Sequence, residues 1–307
     1  MTDAVAPYEG AVPRHEASRH EAKLRQLELL VMRRLDGLLQ GDHQGLVPGG
    51  GSEPDDGRIY EPGDDVRRMD WNLTARSGYP HVRNTVADRE LELWLVVDGS
   101  ASVDFGTAAC EKRDLVVAAA ATFGFLTSRD GNRVGALVFG PGEPEIVPPR
   151  SGRAALFGLL ARLERRERAV EGSASLAAAL RRARLAARRR SLVVVVSDLI
   201  DPGPWERELR ALAARHDVVV AELRDPRERE LPPVGLLTLV DPETGRRLEV
   251  QTADARLRAR FAEAAAAQLA ARARSVKGAG AAHLVLSTDR DWVLDVVRFV
   301  AARRRRR

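Results

Sequence analysis

Short apolar runs separated by longer amphipathic stretches dominate the chain from residue 91 onward. Two of these runs, Leu93–Val97 and Leu192–Val196, are uninterrupted and rich in aliphatic residues, which is typical of strands buried on both faces of a sheet. Segments of helical length lie between the strand candidates. The alternation therefore predicts an α/β fold with a mostly parallel sheet flanked by helices.

The other elements of this region follow from the same alternation. Further strands are predicted at 133–139, 145–147 (an edge strand), 218–223 and 283–286, with a hairpin formed by 236–240 and 246–251. Helices are predicted at 108–128, 152–165, 175–189, 204–214 and 254–274. Thr288 and Asp291 have the pattern of a capping pair that opens a last helix.

The region before residue 91 is less regular. Residues 18–39 carry Leu and Val at helical spacing and predict a helix that packs one face on the rest of the protein. Val66, Met69 and Leu73 also have helical spacing, and 81–88 is predicted to be an extended segment that pairs beside the strand at 91–97.

We expect four parts along the chain. They are a flexible tail (1–20), an N-terminal helix with a small elaboration (21–90), one large α/β domain (91–302) and a basic tail (303–307).

The net charge of +5 comes from the tail, because 49 basic residues face 44 acidic ones and Arg303–Arg307 are five of the 49. One internal stretch is also strongly basic: twelve arginines stand against three glutamates between residues 150 and 190. This stretch is either a docking face for an acidic partner or phosphate, or a set of solvated helix faces.

Several classes of protein are disfavoured. Cys110 is the single cysteine, so no disulfide framework or cysteine-rich metal site is expected. We find no apolar stretch of the roughly 18 residues that a membrane span needs, and the first 20 residues lack an apolar signal core. We therefore expect a cytoplasmic protein without a membrane span.

The most informative polar residues follow the two apolar runs. Asp98-Gly99-Ser100-Ala101-Ser102 comes after the first run, and Ser197-Asp198 comes after the second. Ligands of open α/β sheets bind beyond the carboxyl ends of the strands, and Gly99 allows a sharp turn there. Carboxylate and hydroxyl oxygens suit a hard divalent cation such as Mg²⁺ or Mn²⁺.

A further hydroxyl ligand is expected from the loop before the helix at 175. We choose Ser173, with Ser175 as the cap of that helix. A cation held mainly by neutral hydroxyls is electron-poor and binds an incoming carboxylate strongly. The alternative is that these residues are only helix caps, since Ser and Asp are common where a strand gives way to a helix.

Two sequence patterns resemble those of known protein families. The Asp-x-Ser-x-Ser loop of Asp98, Ser100 and Ser102 resembles the metal-ion-dependent adhesion site of von Willebrand factor type A domains. A more specific pattern reads Arg58-x-Tyr60-x-Pro62-Gly63-Asp64-Asp65-x-Arg67-x-x-Asp70-Trp71-x-x-Thr74-Ala75-Arg76. With the strand and loop that follow, it resembles the bacterial family catalogued as "domain of unknown function 58" over roughly residues 40–300.

The resemblance implies a von Willebrand A-like, Rossmann-type sheet preceded by a small helix and strand elaboration. The metal ligands that it implies are Asp98, Ser100, Ser102, Ser173 and Asp198. It also implies an adaptor that works with a MoxR-type AAA+ ATPase in the assembly or maturation of client proteins. A client carboxylate would then complete the coordination of Mg²⁺ or Mn²⁺.

The elaboration is the second candidate site. We predict that it binds the partner through Arg58, Tyr60, Asp64, Asp65, Arg67, Asp70, Trp71 and Arg76. The alternative is an internal network of arginine–carboxylate pairs. Trp71 is either an interface anchor, as aromatic residues often are, or part of the core.

Two other functions remain as alternatives. The first is a phosphate-handling hydrolase that uses Asp98 at the strand end. A haloacid dehalogenase pattern would need a second Asp at position 100, which is Ser100, and the chain has no P-loop and no His-Glu-x-x-His motif. The second is nucleic-acid binding through the arginines, which an aromatic content of 5% makes a poor stacking platform. We expect that the protein is not an enzyme.

Overall fold

A computed structural model describes residues 22, 24–34, 58–61, 66, 69–82, 91–128, 131–169, 172, 174–201 and 203–304. Its N-terminal part contains helix α1 (24–34), strand β1 (Arg58–Ile59), helix α2 (Trp71–Ser77) and strand β2 (His81–Val82). The strands β1 and β2 form an antiparallel pair.

The rest of the described chain alternates strands and helices. In chain order the elements are β3 (Glu92–Asp98), α3 (Lys112–Ser128), β4 (Arg133–Phe139), β5 (Glu145–Arg150), α4 (Arg153–Glu164), α5 (Leu176–Ala186), β6 (Leu192–Ser197), α6 (Trp205–Ala213), β7 (Asp217–Arg224), β8 (Leu236–Val240), β9 (Arg247–Gln251), α7 (Ala255–Gly278), β10 (Ala282–Ser287) and α8 (Trp292–Arg304). A short 3₁₀ helix, Ala101–Asp104, follows β3.

The central sheet has the strand order β10-β7-β6-β3-β4-β5. Its strands are parallel except for β5, which pairs antiparallel with β4 at one edge. The edge position suits β5, because Pro148 and Pro149 have no N–H to donate to a further strand. The strands β3 and β6 lie at the centre and are almost wholly buried, as their uninterrupted apolar runs predict.

Helices cover both faces of the sheet. One apolar cluster joins Leu93 and Leu95 of β3 to helices α3, α4 and α8. The other joins Trp94 and Val96 of the same strand to α5, α6 and the end of α7. The alternation along β3 thus divides the core into two layers. This is the mixed α/β fold that the sequence predicts, and the edge strand agrees with a von Willebrand A-like arrangement.

Helix α1 packs one face on the domain, as its spacing predicts. Val31 is fully buried against Val293 and Val297 of α8, while Leu24 joins the core beside α3. Leu30 is exposed. An ion pair of 2.8 Å between Arg34 of α1 and Asp291, just before α8, also joins these two helices.

The structure corrects two predictions for the elaboration where it describes the residues concerned. No helix runs from Val66 through Leu73: α2 begins at Trp71, because the Asp70 carboxylate caps it, and Met69 bridges to Val82 instead. The extended segment at 81–82 pairs with β1 and not with the strand at 92–98; residues 83–88 lie outside the described residues.

Thr288 does not cap the last helix. Its hydroxyl donates to the Asp225 carboxylate at 2.7 Å, beyond the end of β7. Of the predicted pair, only Asp291 caps α8: its carboxylate accepts a hydrogen bond from the Leu294 amide at 3.3 Å. In the described part of the chain, none of the helices combines the length and apolar character that a membrane crossing requires.

Candidate functional site

The candidate site lies at the switch point of the sheet. Strand β3 has β4 on one side and β6 on the other, and all three are parallel. Asp98 ends β3 and Asp198 follows β6. A crevice between the carboxyl ends of such strands is the usual ligand position of a doubly wound sheet.

Asp98 is the centre of a buried cluster of oxygens. Its Oδ1 accepts hydrogen bonds from the Ser100 amide (2.9 Å) and the Ser100 hydroxyl (2.7 Å). Its Oδ2 accepts a bond of 2.6 Å from the Ser197 hydroxyl. The hydroxyls of Ser100 and Ser102 lie 3.0 Å apart. The predicted loop therefore brings its carboxylate and both hydroxyls together.

The protonation of Asp98 reflects its surroundings. Burial, followed by the charge of Asp198, raises the pKa of the Asp98 carboxyl to about 6, although Ser100 and Ser197 donate to it. A positive charge beside Asp98 would offset both the cost of burying its carboxylate and the repulsion from Asp198. That is the electrostatic condition in which a carboxylate binds a cation well.

Asp198 is buried beside the same loop but is already paired with a lysine. The Lys112 ammonium lies 2.8 Å from Asp198 Oδ2, and the Ile200 amide donates to Oδ1 at 3.1 Å. Ser102 of the Asp98 loop also acts on the Asp198 carboxyl, so the two strand ends belong to one electrostatic cluster. Burial alone would raise the pKa of Asp198, but the charge of Lys112 and these hydrogen bonds lower it.

Lys112 is fully buried. It forms a second ion pair with Glu228, which comes from the 3₁₀ turn after β7. Burial by itself would lower the pKa of Lys112, yet the charges of Asp198 and Glu228 raise it. The lysine is therefore a permanent cation inside the site.

Four of the five predicted metal ligands are described by the structure, and these four lie close together. Asp98, Ser100, Ser102 and Asp198 lie together at the sheet edge. Ser173 lies outside the described residues. Ser175 caps α5, since its hydroxyl accepts from the Ala178 amide at 3.2 Å.

The donor set fits a small hard cation. It consists of carboxylate and hydroxyl oxygens, which Mg²⁺ and Mn²⁺ prefer. Among the described residues, no group of three or more His, Cys, Asp or Glu side chains is placed to hold a metal. The fit therefore depends on the serine hydroxyls, with Asp98 as the free carboxylate and Asp198 shared with Lys112.

Arg166 holds the Asp98 loop from outside. Its guanidinium donates to the Gly99 carbonyl at 2.8 Å and to the Asp104 carboxylate at 2.6 Å. Asp104 also accepts from the Ala169 amide at 3.0 Å. These contacts connect both ends of the loop to the segment after α4, so that its serines are kept in place.

Replacement of Arg166 tests this role. We expect Arg166→Met to lower the free energy of unfolding by about 2 kcal/mol, because two charge-assisted hydrogen bonds are lost. Arg166→Lys should recover little of it, since an ammonium cannot reach both acceptors as a planar fork does. Urea denaturation measures the change, with the exposed neighbour Arg165→Met as control. Equal stability of the two methionine variants would contradict the assignment.

Sequence reasoning missed two polar residues of the site, Lys112 and Glu228, and assigned no role to Ser197, whose hydroxyl donates to Asp98. One signal was available for Lys112, because the chain has three lysines among 49 basic residues. A lysine in so arginine-rich a chain indicates a position that needs a compact ammonium. Glu228 carries no comparable signal.

The elaboration has an exposed aromatic residue at its centre. Trp71 is 67% exposed, so it is not part of the core. Asp70 is the helix cap and accepts from two backbone amides at 3.0 Å each. Tyr60 is partly buried, Arg76 is exposed in the last turn of α2, and the backbone of Arg58 lies in β1. The remaining predicted residues, Asp64, Asp65 and Arg67, lie outside the described residues, and the ion-pair network stays a prediction.

Many arginines of the basic stretch are paired within the protein. Six of them form ion pairs: Arg153 with Glu28, Arg162 with Glu145, Arg166 with Asp104, Arg168 with Glu111, Arg181 with Glu208 and Arg182 with Glu143. Acidic side chains of the same protein therefore neutralise part of the positive charge of these arginines. This favours helix faces and loop anchors over a docking face for phosphate.

The strand order and the helices on both faces define a mixed α/β domain with a mostly parallel six-stranded sheet. Comparison with known families identifies it further, because residues 56–271 match the model described as "Protein of unknown function DUF58". The chain belongs to this family, as the resemblance of its sequence patterns predicts.

Similar proteins occur in mycobacteria. The chain is 54% identical over 285 residues to the uncharacterized protein Mb1516 of Mycobacterium bovis, with 92% of this chain and 90% of that protein covered. The same figures hold for the uncharacterized protein Rv1480 of Mycobacterium tuberculosis.

Solved structures give more distant likenesses. BatB from Bacteroides thetaiotaomicron is 12% identical with a TM-score of 0.42, and the match covers 70% of this chain and 99% of that chain. The SpRpn10 VWA domain is 12% identical with a TM-score of 0.38, covering 67% and 93%. Both TM-scores are below 0.5.

Proposed function

We propose that this protein is a metal-dependent protein-interaction module and not an enzyme. The observation that carries the proposal is the buried cluster in which the Ser100 hydroxyl lies within hydrogen-bond distance of both the Asp98 carboxylate and the Ser102 hydroxyl. In the proposal these three residues hold Mg²⁺ or Mn²⁺, with Ser173 and Asp198 beside them. The bound cation supplies an open position for a carboxylate of the partner.

The electrostatics of the cluster support a cation. Among the residues that the structure describes, no cation pairs with Asp98, whereas Asp198 has Lys112. Neutral hydroxyls orient toward Asp98 without cancelling its charge. A divalent ion at Asp98 would satisfy the loop and still retain excess positive charge for an acidic partner.

A hydrolase that uses Asp98 as nucleophile is less well supported. Both oxygens of Asp98 accept hydrogen bonds from serine hydroxyls, and the side chain is 5% exposed. A nucleophile needs a free oxygen that can approach the substrate. The geometry suits a ligand-holding carboxylate better.

The partner that we propose is a MoxR-type AAA+ ATPase, in the cytoplasm, with a client protein that presents the carboxylate. The exposed surface of the elaboration supports a second contact. Ile59, Val66, Trp71 and Tyr79 are each more than half exposed, and exposed aromatic residues are frequent anchors of interfaces. The metal edge would bind the client while this surface binds the ATPase.

The first test is titration calorimetry with Mg²⁺ and Mn²⁺. We expect saturable binding to the intact chain, weakened at least roughly 10- to 100-fold in the Ser100→Ala, Ser102→Ala double variant, because losses of that size follow even from removal of outer-shell groups. Asp98→Ala should abolish binding. A Ser128→Ala, Ser275→Ala double variant, with both changes away from the site, should bind as the wild type does.

The partner is tested in the same samples. A purified MoxR-type ATPase and its client should be captured in Mg²⁺ and released by a chelator, and Asp98→Ala should lose the client. If Asp98→Ala changed neither the metal affinity nor the capture, the mechanism would be wrong. No metal binding by the intact chain would leave the serines as loop caps and overturn the metal dependence.

A further inference from the structure

The hairpin β8–β9 is an arm and not a layer of the core. Its strands pair antiparallel over five residues each. Leu236, Val240 and Leu248 are each more than half exposed. Leu237, Leu239 and Val250, on the face opposite Leu236 and Val240, are partly buried, so one face of the hairpin is partly covered while the other faces solvent.

The base of the hairpin is fastened through Thr252. This fully buried residue donates from its hydroxyl to the Gly235 carbonyl at 2.8 Å and accepts from the Val234 amide at 3.1 Å. Its own amide donates to the same Gly235 carbonyl at 2.6 Å. These three hydrogen bonds close the base of the hairpin.

The tip is a rigid turn organised by Asp241. One oxygen of this carboxylate accepts from the Glu243 amide at 3.0 Å, and the other accepts from the Thr244 hydroxyl at 2.5 Å. The Gly245 amide returns to the Asp241 carbonyl at 2.9 Å. A turn built in this way presents Glu243 in one orientation.

The tip reaches the loop that flanks the metal site. The Gly172 amide donates to the Glu243 carbonyl at 3.2 Å. Gly172 lies next to Ser173, the hydroxyl ligand that the sequence analysis selects. It has φ +128°, and a Cβ there would meet Pro141 at 2.9 Å, so the loop is closely fitted at this contact.

The Glu243 side chain is in an unfavourable position for an anion. It is partly buried, and the structure contains no hydrogen bond or ion pair to its carboxylate among the residues that it describes. Burial, and then the charges of Asp198 and Asp98, raise the pKa of Glu243 to about 6. The geometry agrees with this placement: Gly172, which bonds the Glu243 carbonyl, lies against Pro141, and the adjacent Gly140 closely approaches the Gly99 carbonyl of the Asp98 loop.

We propose that Glu243 is an internal ligand, which occupies the position on the site cation that a partner's carboxylate takes. The hairpin then keeps the site closed until the partner displaces Glu243. This inference rests on the proposed metal-dependent function and adds to it the state of the site at rest. A divalent cation between Glu243 and Asp98 would also neutralise the repulsion that the bare residues suffer.

The test uses Mn²⁺ as the probe and compares Glu243→Gln with Glu249→Gln. Glu249 lies in strand β9 of the same hairpin and is exposed, so it matches the change in charge. Two quantities are measured: the Mn²⁺ affinity by calorimetry, and the number of Mn²⁺-bound waters by paramagnetic resonance in ¹⁷O-enriched water.

We expect Glu243→Gln to weaken Mn²⁺ binding roughly 10-fold, within the range for groups around a metal, and to add one bound water. Sodium acetate should displace that water in the variant at concentrations that leave the wild type unchanged. Glu249→Gln should behave as the wild type.

Other outcomes separate this inference from the proposed function. Weaker binding with an unchanged water count would place Glu243 outside the coordination sphere and overturn the inference. The same conclusion follows if Glu243→Gln equals Glu249→Gln while the Ser100→Ala, Ser102→Ala variant still loses Mn²⁺. If the wild type does not bind Mn²⁺ at all, the inference and the metal-dependent function fail together.

Discussion

Replacement of Lys112 by methionine should lower the free energy of unfolding by about 3–5 kcal/mol, the usual cost of removing one partner from a buried ion pair. Asp198 and Glu228 would both lose the ammonium that holds them. Asp198 is 2% exposed, so water cannot take over the role of the lysine. Urea denaturation at neutral pH and low ionic strength measures the loss, with the exposed Lys277→Met as control.

A divalent cation should partly rescue the Lys112→Met variant. Without the ammonium the site has a larger negative charge, so Mn²⁺ should bind more tightly than in the wild type. Ligand that binds only the folded state stabilises it by RT ln(1 + [L]/Kd), and the gain from added Mn²⁺ should therefore be larger in the variant. An equal gain in both proteins would show that Lys112 and the cation act at separate places.

Replacement of Glu222 by glutamine should have the second largest effect. This fully buried carboxylate in β7 lies 2.8 Å from His283 Nε2 and accepts from Arg224 at 2.6 Å. A guanidinium nitrogen of Arg272 is 3.9 Å away. Removal of the negative charge leaves these groups without a counter-charge, which costs about 3 kcal/mol at neutral pH.

The effect of Glu222→Gln should depend on pH in a definite direction. Burial alone would raise the pKa of Glu222, but the hydrogen bonds from His283 and Arg224 outweigh burial and lower it. A lowered pKa means that the stabilisation is complete above the unfolded-state value of about 4.3. It is lost as the pH falls through the lower folded-state value.

Denaturation curves of the wild type and Glu222→Gln at pH 7 and at several values below pH 4 check this sign. The difference in stability should be full at pH 7 and shrink as the pH falls. The exposed Glu263→Gln in α7 is the control and should show no such convergence. If the difference in unfolding free energy between the two proteins grew as the pH fell, a group other than Glu222 would be responsible for the stability of the network.

The sequence predicts the central sheet and the meeting of Asp98 and Asp198 because both depend on local pattern. The runs before Asp98 and Asp198 are apolar at every position, and only a strand buried on both faces accounts for them. Parallel strands bring their carboxyl ends to one edge. The meeting of these two aspartates follows from that rule without knowledge of any long-range contact.

The rest depends on contacts that local pattern does not encode. Lys112 meets Asp198 across 86 positions of sequence, and the orientation of the first turn of α3 decides that meeting. The hairpin tip meets the loop before α5 through the Gly172 amide and the Glu243 carbonyl, and local sequence does not mark that contact. Thr288 looks like a cap in the sequence, yet the nearby Asp225 carboxylate takes its hydroxyl.

The packing of the chain ends has a practical consequence for the choice of fragments. The family match stops at residue 271, but the sheet continues to β10, and Val293 and Val297 of α8 lie against Val31 of α1. A fragment cut to the matched region would leave β7 as a bare edge, which invites aggregation, and would deprive Asp225 of its Thr288 partner. Recombinant expression should therefore span residues 22–304, so that both terminal helices are retained.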